Sequence, residues 1–384
     1  MTVTYARGFR AGGASAGFKE SGRPDLALLV ADVLCTAAGA FTTNAFAAAP
    51  VTLTQSNLVG AQAHAVVVNS GQANAGTGDA GLEDASAMAA AAAESLGLSE
   101  DDVLVCSTGV IGPRVPLDRY RAALPGLVDK LSYDGGGQFA EAICTTDTRI
   151  KAATADAGPF RVGGCAKGIG MVAPNLATML SFVTTDAPVP PMLMRHFITE
   201  RVRPVWNSLT IDQCRSTNDT VLVLASGATD GELDEDALGE AIEAVCVDLA
   251  KQVAADGEGG TKTIVVQVDG AADAGDARRV GLEIAGSPLV KTAVFGGDPN
   301  PGRILQAIGS SGAAFEPGQV RASLGDIPVI EGGVVLDARK SAKPAMEGPE
   351  VVIAVALGAG ETSATVFGCD MSYDYVRINA EYTT

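Results

Sequence analysis

Short apolar runs alternate along the chain with longer amphipathic stretches and glycine-rich turns. The runs Ala65–Asn69, Val103–Cys106 and Thr220–Ala225 predict buried strands, each beginning or ending at polar residues. Between the first two, the alanine-rich stretch Leu82–Leu96 predicts a helix. Gly97 marks its end, because glycine readily adopts the left-handed conformation that closes a helix. This interleaving of strands and helices favours the mixed α/β class.

The second half of the chain continues the pattern. Apolar positions between Asp234 and Ala254 recur at helical spacing and predict one long amphipathic helix. Another helix is predicted around Met192–Val202. Further strands are expected at Met179–Val183, Thr261–Val268 and Val351–Leu357. No internal repeat or low-complexity linker interrupts the sequence, and periodicity alone does not define the topology.

Composition narrows the class of protein. The 384 residues are 47% hydrophobic and 19% charged, which is typical of a well-buried globular protein. The net charge of −18 argues against nucleic acid and anionic membranes as partners, since both require a basic surface. No apolar run approaches the roughly 18 residues of a membrane helix, and no signal peptide is visible. We therefore expect a cytoplasmic protein that acts on small molecules.

Histidine and cysteine usage restricts the available chemistry. The seven cysteines are scattered without a Cys-x-x-Cys pair, so we expect reduced thiols and no metal site. Of the two histidines, His64 precedes a buried strand and His196 lies in a predicted helix, and both are interpreted as structural. An acyl-transfer enzyme built from this chain would therefore lack the usual histidine base.

Thr178 offers a substitute for that base. It follows the small residue Ala177 and precedes a predicted strand. If the chain cut itself between Ala177 and Thr178, the new α-amine, with a pKa of about 7.7–8.0, could deprotonate the hydroxyl of the same residue. The two residues alone are more typical of an ordinary buried threonine in a strand. The sequence on either side of these two residues decides between the alternatives.

Three other segments carry residues suited to an acyl-transfer site. Lys167, followed by glycines, could meet a substrate carboxylate or be a solvated surface lysine. Thr108 and Gly109 follow a strand and could supply oxyanion donors, although such turns are also common. Glu258, held between glycines, could bind a ligand amine. The polar C-terminus 377–384 could simply fray.

The run Lys167–Leu180 resembles the self-cleavage signature of the ornithine acetyltransferase (glutamate N-acetyltransferase) family. Other segments resemble that family in the same order along nearly the whole chain. They are Phe41–Asn44 with Ala48–Pro50, Asn69–Asn74, Cys106–Gly112, Thr145–Thr148, Ser216–Thr220, Asp256–Gly259, and Asp298–Asn300 with Gly302–Ile304. Each is weak alone, but together they identify the chain as similar to this family.

The resemblance implies roles for particular residues. Thr178 would be the nucleophile, exposed by cleavage after Ala177, and Thr108 and Gly109 would form the oxyanion hole. The substrate-binding positions implied by the family are Thr145, Lys167, Thr178, Glu258, Asn379 and Thr384. The family reaction moves an acetyl group from N2-acetylornithine to glutamate through an acetyl-threonine, in arginine biosynthesis.

The resemblance also implies an architecture. The expected fold is an αββα layered arrangement related to the self-cleaving aminopeptidases. Residues 1–177 would form an α chain and residues 178–384 a β chain, intertwined in one globular unit and assembled as α2β2 or larger. No cofactor is expected. Some family members also accept acetyl-CoA as donor, and the residues leave open whether this chain does.

Departures from the family wording keep alternatives open. Ala45 stands where a basic residue is frequent, Pro301 where tryptophan is, and Gly76 where cysteine is. None is an assigned catalytic position, but substrate preference could differ, as in a secondary-pathway paralogue. Two other classes are an aminopeptidase or amidase that passes the acyl group to water, and a non-catalytic binding protein that keeps the fold without the cut.

Overall fold

The computed structural model describes residues 2–173 and 179–381. The strands are β1 (Phe9–Ala14), β2 (Leu26–Phe41), β3 (Gln62–Gln72), β4 (Val103–Val110), β5 (Lys151–Ala157), β6 (Phe160–Lys167), β7 (Leu180–Thr185), β8 (Thr220–Ala225), β9 (Thr263–Ala271), β10 (Arg321–Leu324), β11 (Ile327–Glu331), β12 (Val334–Val335), β13 (Glu350–Ala356) and β14 (Thr362–Cys369). The α-helices are α1 (Ala49–Asn57), α2 (Gly78–Leu96), α3 (Leu117–Val128), α4 (Gly136–Ile143), α5 (Pro191–Phe197), α6 (Arg203–Trp206), α7 (Glu235–Ala255), α8 (Ala274–Gly286), α9 (Pro288–Phe295), α10 (Pro301–Ser310), α11 (Arg339–Ala342) and α12 (Tyr373–Glu381). Short 3-10 turns occupy Leu58–Gly60, Glu100–Asp102, Pro317–Gln319 and Lys343–Met346, and a π-helical turn, Ile198–Val202, joins α5 to α6.

The larger sheet has the order β4-β3-β2-β8-β7-β6-β5, with β1 also paired to β2. The long strand β2 lies inside this order and connects its two parts. Its first half pairs with β1 and β3, and its second half pairs with β8. The register with β3 shifts between Val30 and Cys35, and Val33 and Leu34 are exposed there. Such an irregularity bends a strand, so β2 divides the sheet into two leaves.

The two leaves pack face to face. The first leaf contains β1, the start of β2, β3 and β4, and the second contains the end of β2, β8, β7, β6 and β5. A shared apolar core joins side chains of both, among them Leu29, Val68 and Cys106 from the first leaf and Phe182 and Leu222 from the second. Successive side chains of a strand point to opposite faces of its sheet. The apolar side chains on the outer face of each leaf must therefore be buried by other elements.

Helices supply those outer covers. Helices α2 and α3 pack on the outside of the first leaf through a core that includes Met88, Tyr120 and Leu124. Helix α7 packs on the outside of the second leaf, with Ile242 and Leu249 fully buried. The mixed α/β class and the layered αββα arrangement implied by the resemblance are therefore confirmed.

The smaller sheet has the order β12-β11-β10-β13-β9-β14. Helices α8, α9 and α10 share its main apolar core, which includes Val266, Ile284 and Ile353. On its other side, Val265 and Phe367 join the core around α7. The C-terminal helix α12 docks on the turn at Gly259, where a Cβ would lie 2.3 Å from the backbone nitrogen of Tyr375.

Most predicted elements are confirmed within a few residues. The strand Thr220–Ala225 has its predicted bounds, and the left-handed Gly97 ends α2. The long helix begins at the side-chain cap of Asp234 and buries its predicted apolar stripe. Two predictions differ from the structure. Strands β3 and β4 continue into their polar ends, because these ends pair with each other in a parallel ladder up to Gln72 and Val110. Of the C-terminus 377–384, predicted to be a tail that could fray, residues 377–381 belong to α12 (Tyr373–Glu381), and residues 382–384 lie outside the described residues.

Within residues 2–173 and 179–381, no helix combines the length and the apolar character that a bilayer crossing requires.

Candidate active site at the seam between the leaves

Polar residues of the two leaves meet at one edge, which we call the seam. The first leaf contributes Ser107–Gly109 at the end of β4. The second contributes Lys167 at the end of β6 and Asn218–Asp219 just before β8. Lys167 pairs with Leu180, and Leu180 pairs with Thr220, so these ends lie side by side. Ala177 and Thr178, immediately before Met179, lie outside the described residues, as does Thr384.

Thr108 and Gly109, predicted to follow a strand, lie in the last part of β4 and pair with Ser70 and Gly71 of β3. Gly109 has a φ of +130°, and a Cβ there would lie 2.3 Å from the carbonyl carbon of Gly71. Only glycine tolerates this conformation and this approach. The Ser107 hydroxyl also donates to Asn69 Oδ1 at 2.5 Å. This end of β4 is thus fixed by strand pairing and side-chain bonds, as preorganised oxyanion donors require.

Lys167 is buried, with 4% of its surface exposed, so the surface-lysine interpretation is wrong. Its Nζ donates to Thr108 Oγ1 across the seam at 3.2 Å. Burial lowers the pKa of Lys167, although the nearby Asp147 carboxylate opposes this shift. The bond to Thr108 leaves that hydroxyl free to donate its own hydrogen elsewhere.

Asp147 links the segment around Thr145 to the Lys167 loop. Its carboxylate accepts the backbone N–H of Thr145 at 3.0 Å and that of Gly168 at 2.8 Å. It also lies 2.6 Å from Nζ of the buried Lys151. Burial acts to raise the pKa of Asp147, but the charges of Lys167 and Lys151 outweigh it and bring the pKa to about 2. Asp147 is therefore an ionised anchor under physiological conditions.

Glu258 contacts the loop that follows Lys167. Its backbone N–H donates to the carbonyl of Ile169 at 2.7 Å, two residues after Lys167. Its carboxylate accepts a hydrogen bond from Asn379 Nδ2, 3.1 Å from Oε2. A cleft of about 430 Å³ opens beside it, a size suited to an amino acid. Its lining includes Thr148, Arg149, Ile169, Glu258, Thr261 and Ile378.

Asn218 and Asp219 connect both leaves to the start of β7. Asn218 Nδ2 donates to the carbonyls of Ala73 at 2.6 Å and Ser107 at 2.9 Å, both in the first leaf. Asp219 Oδ1 accepts the backbone N–H of Met179 at 3.1 Å. Burial raises the pKa of Asp219 well above its usual value, although the Met179 N–H and the Lys167 charge oppose the rise.

Contacts therefore connect five predicted residues of the described chain. Thr108 contacts Lys167 directly. Thr145 and Glu258 each bond to that loop or its anchor, and Asn379 bonds to Glu258. Gly109 adjoins Thr108. Asp147, Lys151, Asn218 and Asp219 have no role predicted from the sequence, although three of them lie in segments that resemble the family. The residue pattern around Lys151 does not indicate that it is buried, because its partner Asp256 lies 105 residues later in the chain.

Comparisons with known proteins show which family the chain is similar to. The family model described as "ArgJ family" matches residues 10–384. The chain is 48% identical over 387 residues to "Arginine biosynthesis bifunctional protein ArgJ" of Thermus thermophilus, covering all of both chains. It is 46% identical over 396 residues to the protein of that name from Symbiobacterium thermophilum, covering all of this chain and 98% of the relative.

A solved structure is also similar. The crystal structure of "Arginine biosynthesis bifunctional protein argJ" from Bacillus halodurans is 40% identical, with a TM-score of 0.51. The match covers 53% of this chain and 100% of that one. With the family match over nearly its whole length, the chain belongs to the ArgJ family and is an acetyltransferase of arginine biosynthesis.

Proposed function

We propose that the chain moves an acetyl group from N2-acetylornithine to glutamate through an acetyl ester on Thr178. The observation that carries this proposal is the contact across the seam, where Lys167 Nζ meets Thr108 Oγ1 at 3.2 Å. It brings a buried cation and the candidate oxyanion residues of β4 to the end of β6, next to the strand that follows Thr178. Acyl transfer needs such donors beside its nucleophile.

In the proposed reaction, self-cleavage between Ala177 and Thr178 frees the amine of Thr178. This amine takes the hydroxyl proton as Thr178 Oγ attacks the acetyl carbonyl carbon. Thr108 and the Gly109 N–H stabilise the oxyanion. The carbon–nitrogen bond to ornithine then breaks, and the proton passes to the departing amine. Glutamate enters the same site and its amine attacks the ester, which restores Thr178.

The substrate contacts follow from the chemistry of amino acids. Donor and acceptor both carry carboxylates, for which Lys167 supplies a cation, and both reaction partners carry amines, for which Glu258 supplies an anion. Thr145, Asn379 and Thr384 complete the proposed binding set. No cofactor is required by these steps, and acetyl-CoA would be an alternative donor that reaches the same acetyl-threonine.

We also propose that residues 1–177 and 178–384 stay together as one intertwined unit after cleavage. Strands from both segments alternate in the second leaf, where β2 pairs with β8 and β6 pairs with β7. Separating the segments would break these ladders and the core between the leaves. Assembly of two such pairs as α2β2 in the cytoplasm is the proposed state, and native mass spectrometry measures it.

Intact mass of the denatured protein tests the cleavage. Two fragments that break before Thr178 and together exceed the precursor by one water are expected. The Thr178→Ala variant should remain a single, inactive chain. The exposed Thr199, replaced by alanine, is the control and should be cut normally. An uncut wild-type chain, or a cut and active Thr178→Ala variant, would end the proposal.

Turnover of N2-acetylornithine with and without glutamate tests the acceptor. Ornithine release that requires glutamate supports transfer. Steady release without glutamate would show that water is the acceptor, as in an amidase. Replacing N2-acetylornithine by acetyl-CoA in the same assay tells whether the alternative donor is used.

A further inference from the structure

The cleft beside Glu258 carries charges of both signs. The charged residues among those that line it are Arg149, Asp256, Glu258 and Asp374. Two of them have ionic partners: Asp256 lies 2.6 Å from Nζ of the buried Lys151, and Asp374 lies 3.0 Å from the Arg377 guanidinium. The other two, one cation and one anion, form no ion pair within residues 2–173 and 179–381. The cleft thus offers one charge of each sign to a ligand.

The backbone around Arg149 is fixed to the turn that carries Glu258. The Thr148 N–H donates to Asp256 Oδ2 at 3.2 Å, and Lys151 Nζ donates to the Arg149 carbonyl at 3.4 Å. Asp256 in turn lies two residues before Glu258. The Arg149 side chain is exposed and makes no hydrogen bond in the part of the chain that the structure describes. This cation is therefore placed at the cleft by its backbone, while its guanidinium stays available.

The Glu258 carboxylate connects the cleft to the loop that begins at Lys167. Its Oε2 is so close to that loop that a Cβ at Gly170 would lie 2.7 Å from it. Gly170 is three residues after Lys167, and the Glu258 N–H bonds to Ile169 between them. A ligand whose carboxylate meets Lys167 can therefore extend its other end into the cleft.

The two substrates of the proposed function, on which this inference rests, differ at the end of the side chain. The acetyl group moves between their α-nitrogens, and both carry an α-carboxylate. The ornithine side chain ends in an ammonium, whereas the glutamate side chain ends in a carboxylate. A reaction through one acyl-enzyme brings both side chains to the same cleft in turn. With Glu258 as its one charge, the cleft would attract the first side chain and repel the second.

We propose that Arg149 is the specificity-determining residue for the acceptor, and that its guanidinium binds the γ-carboxylate of glutamate in the cleft where Glu258 binds the side-chain ammonium of N2-acetylornithine. A guanidinium suits this role because it can donate two parallel hydrogen bonds to one carboxylate. Side chains of opposite charge can then use one cleft, since each finds its own partner there. Neither residue takes part in making or breaking a covalent bond.

A comparison of two acceptors tests the proposal. Glutamine has the length of glutamate but a neutral amide in place of the γ-carboxylate. With N2-acetylornithine as donor, the wild type should show a higher kcat/KM for glutamate than for glutamine. In Arg149→Gln we expect this ratio to fall at least about tenfold, because a charged hydrogen-bonded pair is lost. In Arg149→Glu the preference should reverse, because like charges repel.

Two further variants show whether the effect belongs to this cation. Glu258→Gln is the mirror variant: it should raise the KM for N2-acetylornithine without lowering the glutamate-to-glutamine ratio. In Arg149→Gln, by contrast, the KM for N2-acetylornithine should stay within about twofold of the wild type. Arg121→Gln is the matched control, since Arg121 is exposed on α3, outside the first leaf. It should change neither the ratio nor the KM.

The outcomes separate this inference from the function beneath it. If the wild type does not transfer acetyl from N2-acetylornithine to glutamate, the proposed function fails. If the wild type transfers acetyl but does not prefer glutamate, or if the Arg149 variants keep its preference, the role of Arg149 is refuted, however far kcat falls. An equal loss on glutamate and glutamine also refutes it, because a structural role affects both acceptors alike. If melting curves show that one Arg149 variant is unfolded, the ratio in the other decides.

Discussion

The regions around Lys151 and Lys167 place two buried lysines on paired strands in opposite circumstances. Lys151 is 0% exposed and lies 2.6 Å from both Asp147 and Asp256. Lys167 is 4% exposed, and in the part of the chain that the structure describes its hydrogen bond goes to the neutral hydroxyl of Thr108. Lys151 forms ion pairs with two carboxylates, whereas Lys167 hydrogen-bonds to a neutral hydroxyl and has the carboxyl groups of Asp147 and Asp219 only as charged neighbours.

The difference in the partners of the two lysines indicates a structural role for Lys151 and a chemical role for Lys167. A fully paired buried cation contributes mainly by satisfying its partners, and its removal leaves buried charges alone. A partly satisfied buried cation costs stability but is ready for a substrate or a developing oxyanion. Asp147 serves both regions, since it pairs with Lys151 and anchors the Gly168 N–H beside Lys167.

The largest expected effect is on stability, from Lys151→Met. This variant leaves Asp147 and Asp256 buried without their shared cation. We expect the free energy of unfolding to fall by about 3–5 kcal/mol. Thermal and urea unfolding of the purified variant measure the loss. An unchanged unfolding midpoint would show that the two lysines do not differ as the contacts indicate.

The next effect is on activity, from Lys167→Met. We expect kcat/KM to fall at least about 100-fold, which corresponds to about 2.7 kcal/mol of transition-state stabilisation. The free energy of unfolding should fall by less than in Lys151→Met, because Asp147 loses the nearby Lys167 charge but keeps its ion pair with Lys151 at 2.6 Å.

An amide of the N2-acetylornithine carboxylate sharpens this result. If Lys167 binds that carboxylate, the wild type should lose activity on the amide while the variant treats both donors alike. If the variant loses equally on both donors, Lys167 acts instead through Thr108 on the oxyanion. Wild-type kinetics in Lys167→Met would remove it from the site.

The smallest effect is expected from Lys251→Ala, a third type of lysine. Its Nζ lies 2.6 Å from Glu350, but the two side chains are 48% and 37% exposed. Exposed pairs contribute about 0–1 kcal/mol and are screened by salt. The free energy of unfolding, measured in urea at low salt and at 1 M salt, should therefore differ little between variant and wild type. A loss as large as that of Lys151→Met would mean that burial is not what distinguishes these lysines.

Sequence reasoning predicted the elements and much of the site, because both depend on local signals. The apolar stripe of α7 and the buried run of β8 follow from periodicity. Thr108 and Glu258 were singled out by residue type beside glycine turns. From the sequence, Lys167 could be either a surface lysine or a site residue, because the burial of a lysine depends on which residues pack over it. That partner, Thr108, lies 59 residues earlier in the chain.

The site residues without a predicted role could not be recognised from the sequence, because their partners lie far away along the chain. Asn218 reaches Ser107 over 111 residues, and Lys151 reaches Asp256 over 105. No local pattern indicates such pairs. The polar ends of β3 and β4 were interpreted as loops for the same reason. Their ladder partner is the other strand, and Ser107 finds its hydrogen-bond acceptor in Asn69.

The bend in β2 has a consequence for the timing of maturation. Because one strand runs through both leaves, the seam exists only after the two halves of the sheet have closed on each other. Self-cleavage that depends on groups from both sides cannot precede this closure. If the proposed cleavage after residue 177 depends on groups from both leaves, a misassembled chain would remain uncut and inactive, and only a fully folded chain would mature.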